Sequence, residues 1–135
     1  MLYRLETDID ALPNEPGVYR LIALNTRGKP KPLSRVGGLD RSGVLYIGRS
    51  RKLRSRLRTR RHMLFDGTPR GHIAGLTYRA SLPIRRLAPP SRIAFRVTAS
   101  ENDHELERKL LRSYFRKYGE VPPLNGRAEF IVATP

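Results

Sequence analysis

Three stretches of the chain have the apolar pattern of buried β-strands. The first covers residues 17–24 and is entered through prolines, the second covers residues 43–48 and lies between glycines, and the third covers residues 93–98. Short runs of this kind, rich in β-branched and aromatic side chains, predict strands. Residues 25–42 separate the first two runs, and their glycines, prolines and basic residues predict a long loop. The first two strands can therefore pair as a long-looped hairpin.

Two helices are predicted between the second and third strands. Residues 51–64 are rich in arginine and follow Ser50, which is available as a cap. A second helix is signalled by Thr68 and Pro69, because a threonine followed by a proline is typical of a helix start. Prolines within residues 83–90 then predict a loop. The second helix would carry three apolar residues on one face: Ile73, Leu76 and Ala80.

A third helix is predicted to begin after Ser100 and to run to about Tyr118. Residues 100–103 read Ser-Glu-Asn-Asp, a hydroxyl followed three positions later by an acid, which is a helix-start pattern. Gly119 and the prolines beyond it predict the end of the helix. The order of elements is therefore β-β-α-α-β-α, and a length of 135 residues predicts one domain over residues 1–135.

A carboxylate interrupts the apolar face of the third helix. At about 100° per residue, the apolar side chains from Leu106 to Tyr118 fall on one face, and Glu107 falls in the middle of it. Such a carboxylate is costly to bury unless a cation or a metal pairs with it. Two interpretations stay open. Glu107 forms an ion pair with one of the many arginines, or it is a ligand for Mg²⁺, which takes one or two protein carboxylates.

The arginines of the first helix divide into two groups. Arg56 and Arg60 lie beside the leucine stripe of the helix and are expected to border the interior. The other arginines project away from that stripe, where we expect nonspecific contacts with phosphates: Arg54, Arg58 and Arg61, with His62 on the same side.

The charge of the chain is strongly positive and unevenly distributed. Lys and Arg number 27 against 12 Asp and Glu, a formal net charge of +15. Residues 1–15 carry −3, residues 16–100 carry +18, and residues 101–135 carry no net charge. Arginine supplies 22 of the cations and can bind phosphate bidentately. This composition favours nucleic acid as a partner over an anionic membrane surface or a basic protein surface of the ribosomal type.

The composition also excludes some chemistry. With no cysteine, the chain has no disulfide framework, thiolate nucleophile or Cys-based zinc site. It has no run of about 18 apolar residues and no secretion-signal pattern, so we expect a soluble, cytoplasmic protein without membrane contact. Hydroxyl, carboxylate, histidine and basic groups remain to carry any reaction.

The motifs, taken in order, resemble the GIY-YIG endonuclease superfamily. Gly17-Val18-Tyr19 is similar to the first motif, with Val in place of Ile, and Tyr46-Ile47-Gly48 matches the second. The resemblance covers nearly the whole chain. It implies an α+β fold with a small three-stranded, mainly antiparallel sheet flanked by helices, and a basic insertion at residues 25–42. The family's other functional positions map to residues that follow in the same order: Arg49, Arg56, Glu107 and Asn125.

The resemblance implies a role for each mapped residue. Glu107 would hold one divalent cation, Mg²⁺ with Mn²⁺ as a substitute, and Arg56 would clamp the scissile phosphate. Tyr19 would be the general base, which requires that cations and the metal lower its pKa from an ordinary value of about 10. Tyr46 would hydrogen-bond the attacking water or Tyr19. Further contacts with the nucleic acid are assigned to Arg49, Arg60 and Asn125.

One position departs from the family pattern. Many relatives carry His or Tyr four residues after the helix arginine, whereas this chain has Arg60 there, and the nearest histidine is His62. The sequence leaves open which of these two residues takes the auxiliary role.

The implied function is that of a metal-dependent endonuclease acting on double- or single-stranded DNA, in repair, restriction or another setting. A chain of this length has no room for a separate DNA-reading domain, so we expect weak intrinsic sequence specificity. DNA structure, single strands or a targeting partner protein would then supply the target. Two alternatives are a non-catalytic nucleic-acid-binding module that keeps the fold, and a basic RNA-binding protein selective for 2′-hydroxyls.

Overall fold

The computed structural model describes residues 2–65, 78 and 81–126. In these ranges the chain forms six strands, three α-helices and two short 3₁₀ turns, at Ile9–Ala11 and Pro90–Arg92. The strands and helices are, in chain order, β1 (Tyr3–Arg4), β2 (Gly17–Ala23), β3 (Leu33–Arg35), β4 (Gly38–Asp40), β5 (Val44–Ser50), α1 (Leu53–Phe65), α2 (Leu82–Leu87), β6 (Ile93–Ala99) and α3 (Asp103–Tyr118).

Four of the strands form one antiparallel sheet in the order β1–β6–β2–β5. The central strand β2 aligns Tyr19 with Gly48 of β5 and with Val97 of β6. The predicted α+β class and the predicted pairing of the first two motif strands are confirmed. The sheet has one strand more than predicted, because β1 has two residues and is too short to show an alternating pattern.

The two long helices cover opposite faces of the sheet. Tyr19 and Leu21 of β2 belong to a core that includes the leucines of α1. Val18 and Ile22 belong to a second core that includes Leu111 of α3. Because successive side chains of a strand point to opposite faces, β2 is buried on both sides, which explains its nearly continuous apolar sequence. The predicted apolar face of the third helix thus packs on the sheet.

The helix starts differ from the predicted caps. Ser50 is the last residue of β5, and its hydroxyl accepts a 3.0 Å hydrogen bond from the Lys52 N–H, ahead of α1. The Ser100 hydroxyl likewise accepts from the Asn102 N–H, ahead of α3. The predicted end of α3 is confirmed, since Gly119 adopts a left-handed conformation with φ 74° and its N–H bonds the Phe115 carbonyl.

The prediction of a loop over residues 83–90 is wrong for its first part. Residues 82–87 form α2, in which the Ser81 hydroxyl accepts a hydrogen bond from the Ile84 N–H and Pro83 lies in the first turn. Proline is compatible with this position because the first turn of a helix leaves its N–H groups unpaired. The helix predicted after Thr68, with Ile73, Leu76 and Ala80, lies outside the described residues.

The predicted loop of residues 25–42 contains a two-stranded ribbon, β3–β4. The sequence does not predict these strands, because each has only three residues and turn-forming residues lie on both sides. The ribbon docks on the end of α3, where the Gly37 N–H donates a 2.7 Å hydrogen bond to the Tyr118 carbonyl. At its base, the buried Asp40 carboxylate accepts hydrogen bonds from the Ser42 hydroxyl and the Tyr114 hydroxyl, at 2.6 and 2.8 Å.

Nowhere in the described ranges is a helix long and apolar enough to cross a membrane.

Candidate active site

An open cleft of about 600 Å³ lies beside the edge strand β5, between α1 and α3. Its lining comes from three elements that are far apart in the sequence. Four of the predicted site residues are in this lining: Tyr46 and Arg49 of β5, Arg56 of α1 and Glu107 of α3. Strand pairing and the packing of two helices on opposite faces of the sheet therefore bring these side chains together.

The edge of β5 at the cleft is held by the segment after α3. The Leu124 N–H donates a 2.8 Å hydrogen bond to the Leu45 carbonyl. The Asn125 side chain accepts from the Ile47 N–H and donates to the Ile47 carbonyl, both at 3.0 Å. Because its amide is committed to the backbone of the second motif, Asn125 positions Tyr46 and its neighbours. Its predicted contact with nucleic acid stays a prediction.

Glu107 is half-buried at the wall of the cleft. Burial raises the pKa of this carboxyl group, and the charge of Arg49 acts against the rise. Within the described ranges no Lys, Arg or His side chain lies within salt-bridge distance of Glu107. The ion-pair interpretation is therefore not borne out there, and the carboxylate is available to a ligand in the cleft.

A second carboxylate, Asp103, lies one helical turn before Glu107 and is buried. It accepts a 2.7 Å bond from Arg51 and a 3.3 Å bond from Arg49. Burial opposes ionisation, but the hydrogen bonds from Arg51 and Arg49 prevail and lower the pKa of Asp103. The helix-start pattern of the sequence predicts only a capping role for Asp103. Its spacing of four residues from Glu107 was the signal that the two carboxylates share a face.

The carboxylate oxygens at this site are suited to a hard cation that takes few ligands from the protein. The described residues contain no group of three or more His, Cys, Asp or Glu side chains that could hold a metal alone. Mg²⁺ commonly binds through one or two carboxylates and completes its shell with water and substrate phosphates. Glu107, with its carboxylate open to the cleft, fits this pattern.

The two motif tyrosines pack against each other, but only one reaches the cleft. Tyr19 is fully buried, whereas Tyr46 is half-buried and lines the cleft, and their ring centroids are 5.9 Å apart. Gly48 makes room for the pair. A Cβ at this position would lie 2.5 Å from the Tyr46 ring and 2.7 Å from the Tyr19 ring, closer than such contacts occur. The motif glycine is therefore required by the space between the rings.

Arg60 lies behind the tyrosines, with only 3% of its surface exposed. Its Nε–H donates a 2.8 Å hydrogen bond to the Tyr19 hydroxyl oxygen, and its guanidinium lies 5.7 Å from the centre of the Tyr46 ring. The prediction that Arg60 borders the interior is correct. The buried guanidinium is turned toward the tyrosines, so its predicted contact with phosphate stays a prediction.

The tyrosine environment does not favour a phenolate. Burial and the neighbouring Tyr46 raise the pKa of Tyr19, and Arg60 offsets this only in part. Burial also raises the pKa of Tyr46, against the charge of Arg60 and a hydrogen bond with Tyr19. Among the protein's own groups, burial thus outweighs the effect of the nearby arginines on the pKa of Tyr19.

The outward arginines of α1 face the acidic N-terminal segment. Arg58 forms an ion pair with Asp10, and Arg54 bonds the Leu12 carbonyl at 3.4 Å. Phosphate contacts by these two side chains would have to compete with these partners. Arg61 and His62 lie on the same outward side, away from the cleft lining, and their contacts with nucleic acid stay a prediction.

Arg56 differs from its neighbours on α1. It is half-buried in the cleft lining, and in the part of the chain that the structure describes no carboxylate pairs with it. The N–H groups of a guanidinium that no carboxylate pairs with are available to bind an anion that enters the cleft.

Two solved structures of the GIY-YIG N-terminal endonuclease domain of UvrC from Thermotoga maritima are similar to this chain. A point mutant bound to its catalytic divalent cation is 25% identical, with a TM-score of 0.44, and the match covers 91% of this chain and 96% of that one. The domain bound to magnesium is 24% identical, with a TM-score of 0.44 and coverage of 90% and 96%. No family model matches the chain, and no curated protein is significantly similar to it. The chain is thus similar over most of its length to a GIY-YIG nuclease domain.

Proposed function

We propose that the protein is a metal-dependent endonuclease that hydrolyses DNA phosphodiester bonds. One observation carries the proposal: Tyr46, Arg56 and Glu107, which come from a strand and two different helices, line a single cleft. Hydrolysis of a phosphodiester needs an oriented water, neutralisation of the non-bridging oxygens and stabilisation of the leaving alkoxide. The three side chains are of the types that these tasks require.

Arg56 and Glu107 would act on the phosphate. The Arg56 guanidinium can donate two parallel hydrogen bonds to non-bridging oxygens and offset their charge. Glu107 would hold the divalent cation, which when bound supplies Lewis-acid stabilisation of the phosphate and the leaving oxygen. Arg49, whose side chain is 39% exposed beside the cleft, can add a contact with an adjacent phosphate although it also bonds Asp103.

Tyr46 is the tyrosine placed to contact the attacking water. Its ring lines the cleft, whereas Tyr19 lies one layer deeper and is held by Arg60. Burial raises the pKa of Tyr19 despite the hydrogen bond from Arg60, which favours the protonated form of this hydroxyl. We therefore assign Tyr46 to the water and Tyr19 to the orientation of Tyr46, in place of the predicted direct proton abstraction by Tyr19.

The test compares wild type with Glu107→Gln on plasmid and single-stranded DNA, with Mg²⁺ or Mn²⁺. The matched control is Glu105→Gln, which removes the same charge from an exposed position of the same helix. We expect cleavage by wild type and the control, and loss of at least about a hundredfold in rate for Glu107→Gln, as for other charge-stabilising groups. Equal cleavage by Glu107→Gln would overturn the metal role.

The binding data from the same proteins separate the alternatives. Salt-sensitive DNA binding by all three proteins without cleavage by any would support the non-catalytic module. Binding that is selective for RNA would support the RNA-binding alternative. Weak sequence specificity, a targeting partner protein and a cytoplasmic location remain part of the proposal and follow from the sequence.

A further inference from the structure

The outer face of α3 carries a row of cations that the cleft does not use. Arg108, Arg112 and Arg116 follow one another at a spacing of four residues, with Lys109 and Lys117 beside them. Residues at this spacing lie on one face of a helix. These side chains line a shallow groove on the side of α3 opposite its apolar face.

These five cations are not paired with carboxylates in the residues that the structure describes. The salt bridges found there use arginines of other elements: Arg35, Arg49, Arg51 and Arg58. The acids of α3 lie in its first half, where Asp103 bonds the arginines of the β5 end and Glu107 lines the cleft. Glu105 is the one acid of α3 that lines the groove, and no cation of the row lies within salt-bridge distance of it in the described residues. The Arg112 Nε is buried and has no hydrogen-bond partner among the described residues.

Local structure does not account for this row. Like charges four residues apart on a helix repel each other. The helix dipole favours cations in the last turn, which explains Arg116 and Lys117. It does not explain Arg108 and Arg112 in the middle of the helix. An external anion would explain both.

The row of cations has the length and position expected of a surface that binds along a nucleic-acid backbone. Arg108 and Arg116 are eight residues apart, about 12 Å along the helix, which equals the axial length of about three to four base pairs of duplex DNA. Arg108 follows Glu107 and acts electrostatically on its carboxyl group. The N-terminal end of the row is therefore the end nearer to the cleft.

We propose that the outer face of α3 binds the sugar-phosphate backbone of duplex DNA where it extends beyond the cleft. This inference rests on the proposed function and assigns a second contact to the same substrate. It also assigns a contact with DNA to residues 101–135, which carry no net charge. The groove of α3 is lined by five of the cations of this segment and by one of its acids, Glu105.

The test is a binding measurement in EDTA with a short duplex of random sequence, over a range of salt concentrations. The variant is Arg112→Gln/Arg116→Gln, and the control is Arg85→Gln/Arg86→Gln, which removes two charges from exposed positions of α2. Loss of two phosphate contacts is expected to reduce the salt slope of log K by about 2 and the affinity about tenfold or more. The control is expected to keep the wild-type slope. Thermal unfolding checks that both variants fold.

Each other outcome has a defined meaning. An unchanged slope in the α3 variant, or an equal loss in the control, overturns the inference. Equal binding of wild type to a polyglutamate chain, lost in the same variant, would indicate an acidic protein as the occupant and would also overturn it. A wild type that binds through α3 but never cleaves with Mg²⁺ or Mn²⁺ contradicts the proposed endonuclease alone. A wild type that cleaves, with an α3 variant that binds normally, contradicts the α3 contact alone.

Discussion

The Nε–H of Arg60 donates a 2.8 Å hydrogen bond to the Tyr19 hydroxyl, and neither side chain has more than 3% of its surface exposed. A guanidinium can only donate, so the Tyr19 oxygen must accept. In this arrangement the Nε–H of Arg60 is used by Tyr19. It fixes the orientation of Tyr19, which packs against Tyr46 at the cleft wall.

Arg60→Leu is expected to reduce the cleavage rate while leaving DNA affinity and its salt slope close to wild type. The Tyr19 hydroxyl would lose a buried partner, at a cost of about 1–3 kcal/mol in the free energy of unfolding. Arg56→Leu should instead lower the salt slope by about 1, because it removes a phosphate contact. Salt titrations and single-turnover cleavage distinguish the two. A loss of affinity in Arg60→Leu equal to that in Arg56→Leu would restore Arg60 as a phosphate ligand.

Asn125→Ala is expected to destabilise the edge of β5 and to slow cleavage. It removes two hydrogen bonds to the Ile47 backbone, each with a net value of about 0.5–1.5 kcal/mol. The control is Asn14→Ala, which removes two hydrogen bonds to Ser55 at the first turn of α1. Denaturant unfolding should show losses in both variants. A cleavage defect confined to Asn125→Ala supports its positioning role, and equal defects would argue against it.

The ionised Asp40 carboxylate should stabilise the folded state, and this stabilisation should be lost in acid. Burial alone would raise the pKa of this carboxyl group, but hydrogen bonds from Ser42, Tyr114 and Val44 prevail and lower it from an ordinary 3.8. A lowered pKa in the folded state contributes stability at higher pH, and this contribution falls as the pH drops below about 4. We expect Asp40→Asn to be less stable than wild type at neutral pH, and the difference to shrink in acid. A difference that stays constant down to pH 3, about one unit below that value, would contradict the assignment.

Cleavage of random-sequence DNA should yield no strong consensus. The cations of the cleft and of α3 are suited to phosphates, which carry no sequence information directly. Sequencing of the cleaved ends measures this outcome. A consensus of several bases would show that some element of the protein reads base edges.

The sequence predicted those parts of the site that depend on local periodicity. Helical spacing alone placed Glu107 on the buried face of α3 and Arg60 at the edge of the interior, and short apolar runs located β2, β5 and β6. The partners of Arg60, Asp103 and Asn125 could not be predicted in this way. Each lies more than 40 positions away in the chain, and nothing in a local pattern specifies which distant group accepts or donates.

Residues 25–42 show the same limit. Their glycines and prolines are those of a loop, yet the ribbon inside this segment is held by Tyr114 and by the end of α3. A three-residue strand has too few positions to show a period of two. Its pairing is determined by contacts with a helix that begins more than 60 residues later in the sequence.

The segment that carries Leu124 and Asn125 also closes one side of the sheet. The outer backbone groups of Leu45 and Ile47 would otherwise be an exposed template for a strand of another molecule. A protein shortened before this segment would therefore lose more than the alignment of Tyr46. It would gain a tendency to self-associate through β5, so that solubility and activity would decline together.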